Sequence, residues 1–400
     1  MHLNSLPQQV RSVTCRRILN SHVEFTNEFT VELRNGNIGI GAPPEGETIS
    51  VYEDRSTTVK ADDILAEIRH ARLKEEQVTQ ADFDRFLQTR LEKFGRNNCW
   101  ALSLAFFNAS NSPIHRFWAA DREEAIEVFP RLCLNVLNGG YHAYTNPVLS
   151  DFHEYLLVPK FDNAKKAIID HANIQQAIRE NLVLQERTYV NQNAVYRFRS
   201  ADNRGCLIFL QKVLDQLGLN HDYDLMIDAS AGDLQVGQGY KFSVTDGSVR
   251  TTDRLHRYWS QLIEEYGIGF LEDPFGENDY EGWRMLANGQ SKCKIIGDNL
   301  YSSDAKRIEQ GARNGYTHGT IIKPNQAGTV SAVLRAIETS KRFGQLAITS
   351  HRSISTESTF LALLTILGGV GYIKIGPLYT DYSSVMRLNE LIRLTGVNIE

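Results

Sequence analysis

From about residue 220 onward, short apolar runs recur at a spacing of about 25 residues, the rhythm of strand–helix units. They are Leu225-Met-Ile, Gly269-Phe-Leu, Lys294-Ile-Ile, Gly319-Thr-Ile-Ile, Leu346-Ala-Ile and Gly371-Tyr-Ile. Between them lie amphipathic helical patterns. Residues 329–343, for instance, place Val330, Val333, Leu334 and Ile337 on one side of a helix. This alternation predicts parallel strands with crossover helices. No G-x-G-x-x-G opens any of these helices, which favours a β/α barrel over a dinucleotide-binding sheet. The first third reads differently, as α+β. Ser12-Val-Thr-Cys and Glu28-Phe-Thr-Val-Glu-Leu are strand-like, the turn Asn35-Gly-Asn follows, and Gly41-Ala-Pro-Pro-Glu-Gly-Glu-Thr-Ile is a loop. Residues 60–109 turn helical, and the pattern changes again near Phe129-Pro130. We expect two domains, residues 1–125 and 126–400.

Composition narrows the function classes. Hydrophobic residues make up 42% of the 400-residue chain and charged residues 23%, with a formal net charge of -5. That is the balance of a soluble globular protein, and it argues against nucleic acid or an anionic membrane as partner. Residues 1–13 lack an apolar signal core, and the greasiest stretch, residues 360–373, is broken by glycines. Five cysteines, odd in number and never in a C-x-x-C pair, point to reduced thiols in a cytoplasm.

Each late strand ends in a polar or charged residue. In order these are Asp228, Glu272 (with Asp273), Asp298, Lys323, His351-Arg352-Ser353 and Lys374. Taken singly, an aspartate at a strand end is more often a turn residue or helix cap, and Lys323 before a proline could be a solvated surface residue. In a β/α barrel, however, the C-terminal strand ends converge on one face, where the active site forms. Three carboxylates on successive strands make a hard-oxygen site suited to Mg²⁺. Two lysines then face it from across the barrel. A metal-bound carboxylate acidifies its α-carbon, and a lysine among cations can take that proton. His351, Arg352 and Ser353 offer donors suited to a phosphate.

The chain resembles the enolase (phosphopyruvate hydratase) family over nearly its whole length. Leu134-Asn-Val-Leu-Asn-Gly-Gly-Tyr-His-Ala, Glu154-Tyr-Leu-Leu-Val-Pro, Leu271-Glu-Asp-Pro-Phe, Gly297-Asp-Asn-Leu, Ile322-Lys-Pro-Asn-Gln-Ala-Gly, Ser350-His-Arg-Ser and Arg387-Leu-Asn-Glu-Leu-Ile-Arg carry the likeness. Asn97-Asn-Cys-Trp-Ala-Leu-Ser-Leu-Ala is a weaker echo. The resemblance implies an enolase-type barrel capped by the N-terminal domain, a homodimer, and Asp228, Glu272 and Asp298 as Mg²⁺ ligands. It implies Lys323 as the base and Lys374 as the neutraliser of the substrate carboxylate. Arg352 and Ser353 would hold the phosphate, with His351 beside them, and His142 and Glu154 would lie on the leaving-group side. The family's lid S-G-A-S-T-G is replaced by Glu45-Gly-Glu-Thr-Ile-Ser, with Thr48 where the metal-binding serine belongs. Counting back from Asp228 sets Asn193 where the family has the glutamate that protonates the departing hydroxide. Tyr196, Arg197 and Arg199, in the same stretch, are either plain surface residues or receivers of an additional anionic group.

The expectation is therefore a hydro-lyase acting on a small carboxylate with a phosphate or phosphonate at C2. A specialised paralogue similar to carboxyphosphonoenolpyruvate synthase is favoured, poor on 2-phosphoglycerate, whose own substrate either brings a better leaving group or is protonated by Glu154 or His142. The alternatives are an ordinary glycolytic enolase, a non-dehydrating use of the enediolate such as epimerisation, and a catalytically weak binding protein.

Overall fold

The computed structural model describes residues 6–47, 49–53, 59–71, 73, 76–112, 117–118, 128–140, 145–190, 193–199 and 202–399. It opens with an antiparallel meander of β1 (Val10–Leu19), β2 (Phe25–Leu33) and β3 (Ile38–Gly41). Alternate residues of β2, namely Phe29, Val31 and Leu33, are fully buried, the period of a half-covered strand. The helical stretch resolves into α1 (Ala61–His70), α2 (Gln80–Gln88), α3 (Leu91–Phe94) and α4 (Arg96–Ser110). Helix α4 presses onto β3 at two glycines. A Cβ on Gly39 would stand 2.1 Å from the Ala109 nitrogen, and one on Gly41 2.1 Å from the Ala101 carbonyl oxygen, so only glycine fits. Another face of α4 serves the rest of the molecule: Trp100 and Phe107 pack edge-on against Phe360 at 5.5 and 5.2 Å.

A nine-stranded sheet follows in the order β4-β17-β16-β15-β14-β13-β9-β6-β5. Its strands are β4 (Arg131–Leu132), β5 (Leu134–Asn138), β6 (Glu154–Pro159), β9 (Tyr223–Asp228), β13 (Ile268–Glu272), β14 (Lys294–Gly297), β15 (Gly319–Ile322), β16 (Leu346–Ser350) and β17 (Tyr372–Lys374). Only Cys133 separates the two outer strands β4 and β5, so the sheet comes round on itself as a barrel. Its lumen is filled by Cys133, Leu156, Val158, Met226, Phe270, Ile296, Ile321 and Ile348, a packed interior without a channel. Helices α5 (Ala164–Leu182), α6 (Arg204–Leu217), α7 (Thr252–Tyr266), α8 (Tyr280–Gly289), α9 (Ala305–Asn314), α10 (Pro324–Ala327), α11 (Val330–Arg342), α12 (Phe360–Leu367) and α13 (Tyr382–Thr395) complete it. Val330, Val333, Leu334 and Ile337 of α11 are buried, as the periodicity predicts.

Two features depart from the simple alternation. Strand β6 runs antiparallel to both neighbours, pairing Glu154 with Asp228 and Asn138 with Glu154. Outside the barrel, β7 (Glu186–Val190) and β8 (Asn193–Arg197) form a hairpin, and β10 (Gln235–Val236), β11 (Gly239–Lys241) and β12 (Val249–Arg250) a small sheet.

Candidate active site

The parallel strands deliver their C-terminal residues to one end of the barrel. Asp228 closes β9, Glu272 closes β13 and Lys374 closes β17, while Asp298, Lys323 and His351 directly follow β14, β15 and β16. One cavity of about 60 Å³ is lined by Asp228, Asp298, Lys323, His351, Arg352, Ser353 and Lys374, with Gly46, His153, Glu154, Ser230 and Ser350. Glu272 lies beneath, fully buried. A larger cavity, about 330 Å³, opens elsewhere between β3, α4 and residues 356–363. Its described lining has no lysine, arginine or histidine and holds Glu28, Glu357 and Glu390, so it suits neither a carboxylate nor a phosphate.

The charges in the small cavity are tightly interlocked. The Lys374 ammonium lies 2.8 Å from Glu154 Oε2, 2.9 Å from Glu272 Oε2 and 3.4 Å from Asp228 Oδ2. Burial alone would pull this lysine down, but Glu154, Glu272 and Asp228 lift it well above its ordinary value. Burial pushes the Asp228 carboxyl up, yet Lys374, His153 and Lys323 outweigh it and hold the group at about 2. Glu272 goes the other way, raised well above its usual range by burial and by the Asp228 charge. Lys323 donates to Asp298 Oδ2. The other oxygen, Asp298 Oδ1, is buried without a partner. A buried carboxylate oxygen without a donor among the described residues fits a ligand to a hard cation. As the side chains stand, no three His, Cys, Asp or Glu among the described residues are gathered closely enough to hold a metal ion. The lysines share the carboxylate oxygens instead. Below them Asp273 (φ +43°) accepts from the Asp298 and Asn299 backbone N–H at 2.8 Å each, fixing the β14 loop.

On the next loop, Arg352 is buried and its Nη1 donates to Glu53 Oε2 at 2.7 Å. Gln326 Nε2 donates to the other Glu53 oxygen at 3.0 Å. Burial would raise the Glu53 acid, but Arg352 outweighs it and holds the acid low. Ser353 Oγ accepts the Glu47 backbone N–H at 2.9 Å, and Glu45 bridges to Ile354 through the backbone, so residues 45–47 lie over the Arg352–Ser353 segment. The His351 ring contacts the Arg352 carbonyl oxygen through Nδ1 at 2.8 Å. Burial, then Arg387, depresses it to about 3, leaving it neutral.

Glu154 and His153 share the site because β6 is reversed: its N-terminal end lies where its neighbours end. Asn135 Nδ2 donates to Glu154 Oε1 at 2.6 Å. His153 Nε2 stands 3.4 Å from Asp233 Oδ2. Gly140 (φ +57°) makes room for that ring, since a Cβ there would lie 2.9 Å from His153 Cδ2. Sequence reasoning missed His153, Asp233 and Glu53. His153 could have been found as the neighbour of Glu154, once β6 is taken as reversed. The structure does not bring Asn193 into the cavity. That residue pairs with Val190 at the tip of the β7–β8 hairpin, exposed and outside the cavity lining. Arg197 and Arg199 are exposed, and Tyr196 is tied to Pro147, Leu149 and Arg187. None lines the cavity, which fits plain surface residues. Thr48 and His142 lie outside the described residues.

A barrel that gathers acids, two lysines and an arginine at the C-terminal ends of its strands has the architecture of a β/α-barrel enzyme. Residues 126–397 match the family model described as enolase, C-terminal TIM barrel domain. The enolase of Ehrlichia ruminantium (strain Gardel) is 26% identical to this chain in an alignment spanning 97% of the chain and 98% of that protein. The chain belongs to the enolase family and is an enolase-like hydro-lyase. Among the described residues no helix is long and apolar enough to cross a membrane.

Proposed function

We propose that the protein is a magnesium-dependent lyase that removes the α-proton of a small carboxylate bearing a phosphate or phosphonate at C2, then eliminates water to give an enolpyruvate. The observation that carries this reading is the pair of lysines set among carboxylates at the barrel mouth, with Arg352 and Ser353 on the adjoining loop. Asp228, Glu272 and Asp298 are the residues that would hold Mg²⁺, which when bound supplies positive charge beside the substrate carboxylate and acidifies its α-carbon. Their all-oxygen donor set suits a hard cation. Lys323, with Asp298 as its one ion-pair partner among the described residues, takes the C2 proton. Lys374, kept protonated by three acids, neutralises the substrate carboxylate. Arg352 and Ser353 grip the phosphorus oxyanion. Glu154, steadied by Asn135 and paired with Lys374 before substrate arrives, takes up a proton once the substrate carboxylate replaces it on Lys374 and passes that proton to the departing hydroxide, a role worth roughly 10²–10⁴-fold in rate. Thr48 as a substrate-binding hydroxyl and His142 on the leaving-group side are proposed on the family resemblance alone.

We further assign the protein to specialised metabolism, as a paralogue similar to carboxyphosphonoenolpyruvate synthase. The surroundings of Arg352 support this. Glu53 already pairs with Arg352. That pairing lowers the net positive charge Arg352 offers to a phosphate dianion. The test is enolpyruvate formation in Mg²⁺ from 2-phosphoglycerate and from a glycerate carrying a phosphonate instead. Preference for the phosphonate supports the assignment, and ordinary enolase turnover on 2-phosphoglycerate overturns it. No elimination from either overturns the lyase reading. Among the described residues none of the five cysteines is in a disulfide, which supports a reducing cytoplasm. We also propose a homodimer, with Leu19, Phe25, Ile38 and Ile40 exposed on the first sheet as apolar surface for it. Light scattering checks it.

A further inference from the structure

Arg387 is a buried cation for which the chemistry above has no use. It sits on α13, is 4% exposed, and does not line the catalytic cavity. Its guanidinium forks. Nη1 donates to the Ile375 carbonyl oxygen at 2.6 Å, one residue past Lys374. Nη2 donates to Ser355 Oγ at 2.5 Å and to Ser383 Oγ at 2.9 Å, with an Asp381 oxygen 3.9 Å from Nη1. Ser355 Oγ donates onward to the Arg352 carbonyl oxygen at 3.1 Å. The His351 backbone N–H closes the ring by donating to the Lys374 carbonyl oxygen at 3.0 Å. One side chain thus ties together the two segments that leave β16 and β17. Behind them a cavity of about 40 Å³ is lined by Arg387, Ser350, His351, Arg352 and Trp100, among others. The Arg352 segment therefore has a gap at its back, and the hydrogen-bonded chain from Arg387 supplies the restraint that packing does not.

We propose that Arg387 is a positioning residue: through Ile375 and Ser355 it fixes Lys374 and Arg352 relative to each other, and so sets the affinity for the substrate's two anionic ends. The inference rests on the reading of Arg352 and Lys374 as anion-binding groups. A lysine at 387 would keep the charge but lose the fork, because an ammonium cannot reach in two fixed directions. The experiment compares wild type with Arg387→Lys, Arg387→Met and Ser355→Ala in saturating Mg²⁺. It measures KM, kcat, inhibition by inorganic phosphate and melting temperature. Arg387→Lys should raise KM and weaken phosphate inhibition by about tenfold, with kcat changed much less, since a small displacement of a binding group falls on affinity. Ser355→Ala should move the same quantities in the same direction. The two substitutions together should do little more than Arg387→Lys alone, because they break one chain. If Arg387→Met does not fold, Arg387→Lys and Ser355→Ala still decide the matter. Variants with wild-type KM and phosphate inhibition, whatever their melting temperature, overturn the inference. A wild type that phosphate does not inhibit overturns the anion-site reading instead.

Discussion

Lys323 and Lys374 bring the same ammonium group into the same cavity, yet their surroundings suit them to different tasks. Lys374 is held by three carboxylates and lifted well above its ordinary value, so it serves as a fixed positive charge. Removing it by Lys374→Gln leaves Glu154, Glu272 and Asp228 facing one another. Breaking a buried ion pair costs about 3–5 kcal/mol. Urea unfolding at neutral pH should show a loss of that order, and added Mg²⁺ should restore part of it by binding the folded state. A loss indifferent to Mg²⁺ would count against Asp228 and Glu272 as metal ligands. These residues were legible because each stands at the end of an apolar run, where strand direction and barrel geometry leave one destination. Glu53 and Asp233 were not. They come from a loop and a short turn whose approach to the barrel depends on tertiary packing, and no local period marks them.

Strand β6 shows what pattern cannot supply at the scale of an element. Glu154-Tyr-Leu-Leu-Val-Pro is buried on both faces apart from its first residue, and such a run reads the same in either direction. Its reversal is what brings His153 and Glu154 to the catalytic end. The β7–β8 hairpin was equally hidden, since its strands are largely exposed and carry no clean alternation. The turn after β5 offers a direct test of the reversed strand. Gly140→Ala would set a Cβ 2.9 Å from the His153 ring at a backbone angle of +57° that alanine resists. His153 must then shift. Turnover should fall about tenfold or more, as a displaced site group implies, with circular dichroism unchanged. Full turnover in that variant would show that the His153 position is immaterial.

For the whole molecule, the barrel and its helices were readable from residue 220 onward because hydrophobic spacing, strand ends and helix caps agree there. The meander and its helices were readable as α+β. What the pattern could not show is how one helix, α4, is shared between the sheet and the barrel core. The folded molecule also carries buried imidazoles. Burial, then Arg179, lowers His171 to about 4, and neither ring nitrogen has a hydrogen-bond partner among the described residues. Below pH 6.5 the unfolded chain takes up a proton that the folded His171 refuses. Its contribution to stability is therefore complete above 6.5 and is lost as the pH falls toward 4. Over that window the slope is about 1.4 kcal/mol per pH unit for one group. His171→Leu should remove this much of the slope in urea titrations at pH 7, 6 and 5, and an unchanged slope would place the proton elsewhere. The central claim concerns proton abstraction at C2 by Lys323, and it can be measured apart from elimination. In D₂O with Mg²⁺, substrate recovered before completion should carry deuterium at C2 by NMR with wild type. With Lys323→Ala it should carry none, although the variant still binds the substrate. Deuterium appearing at the wild-type rate in Lys323→Ala would contradict the account.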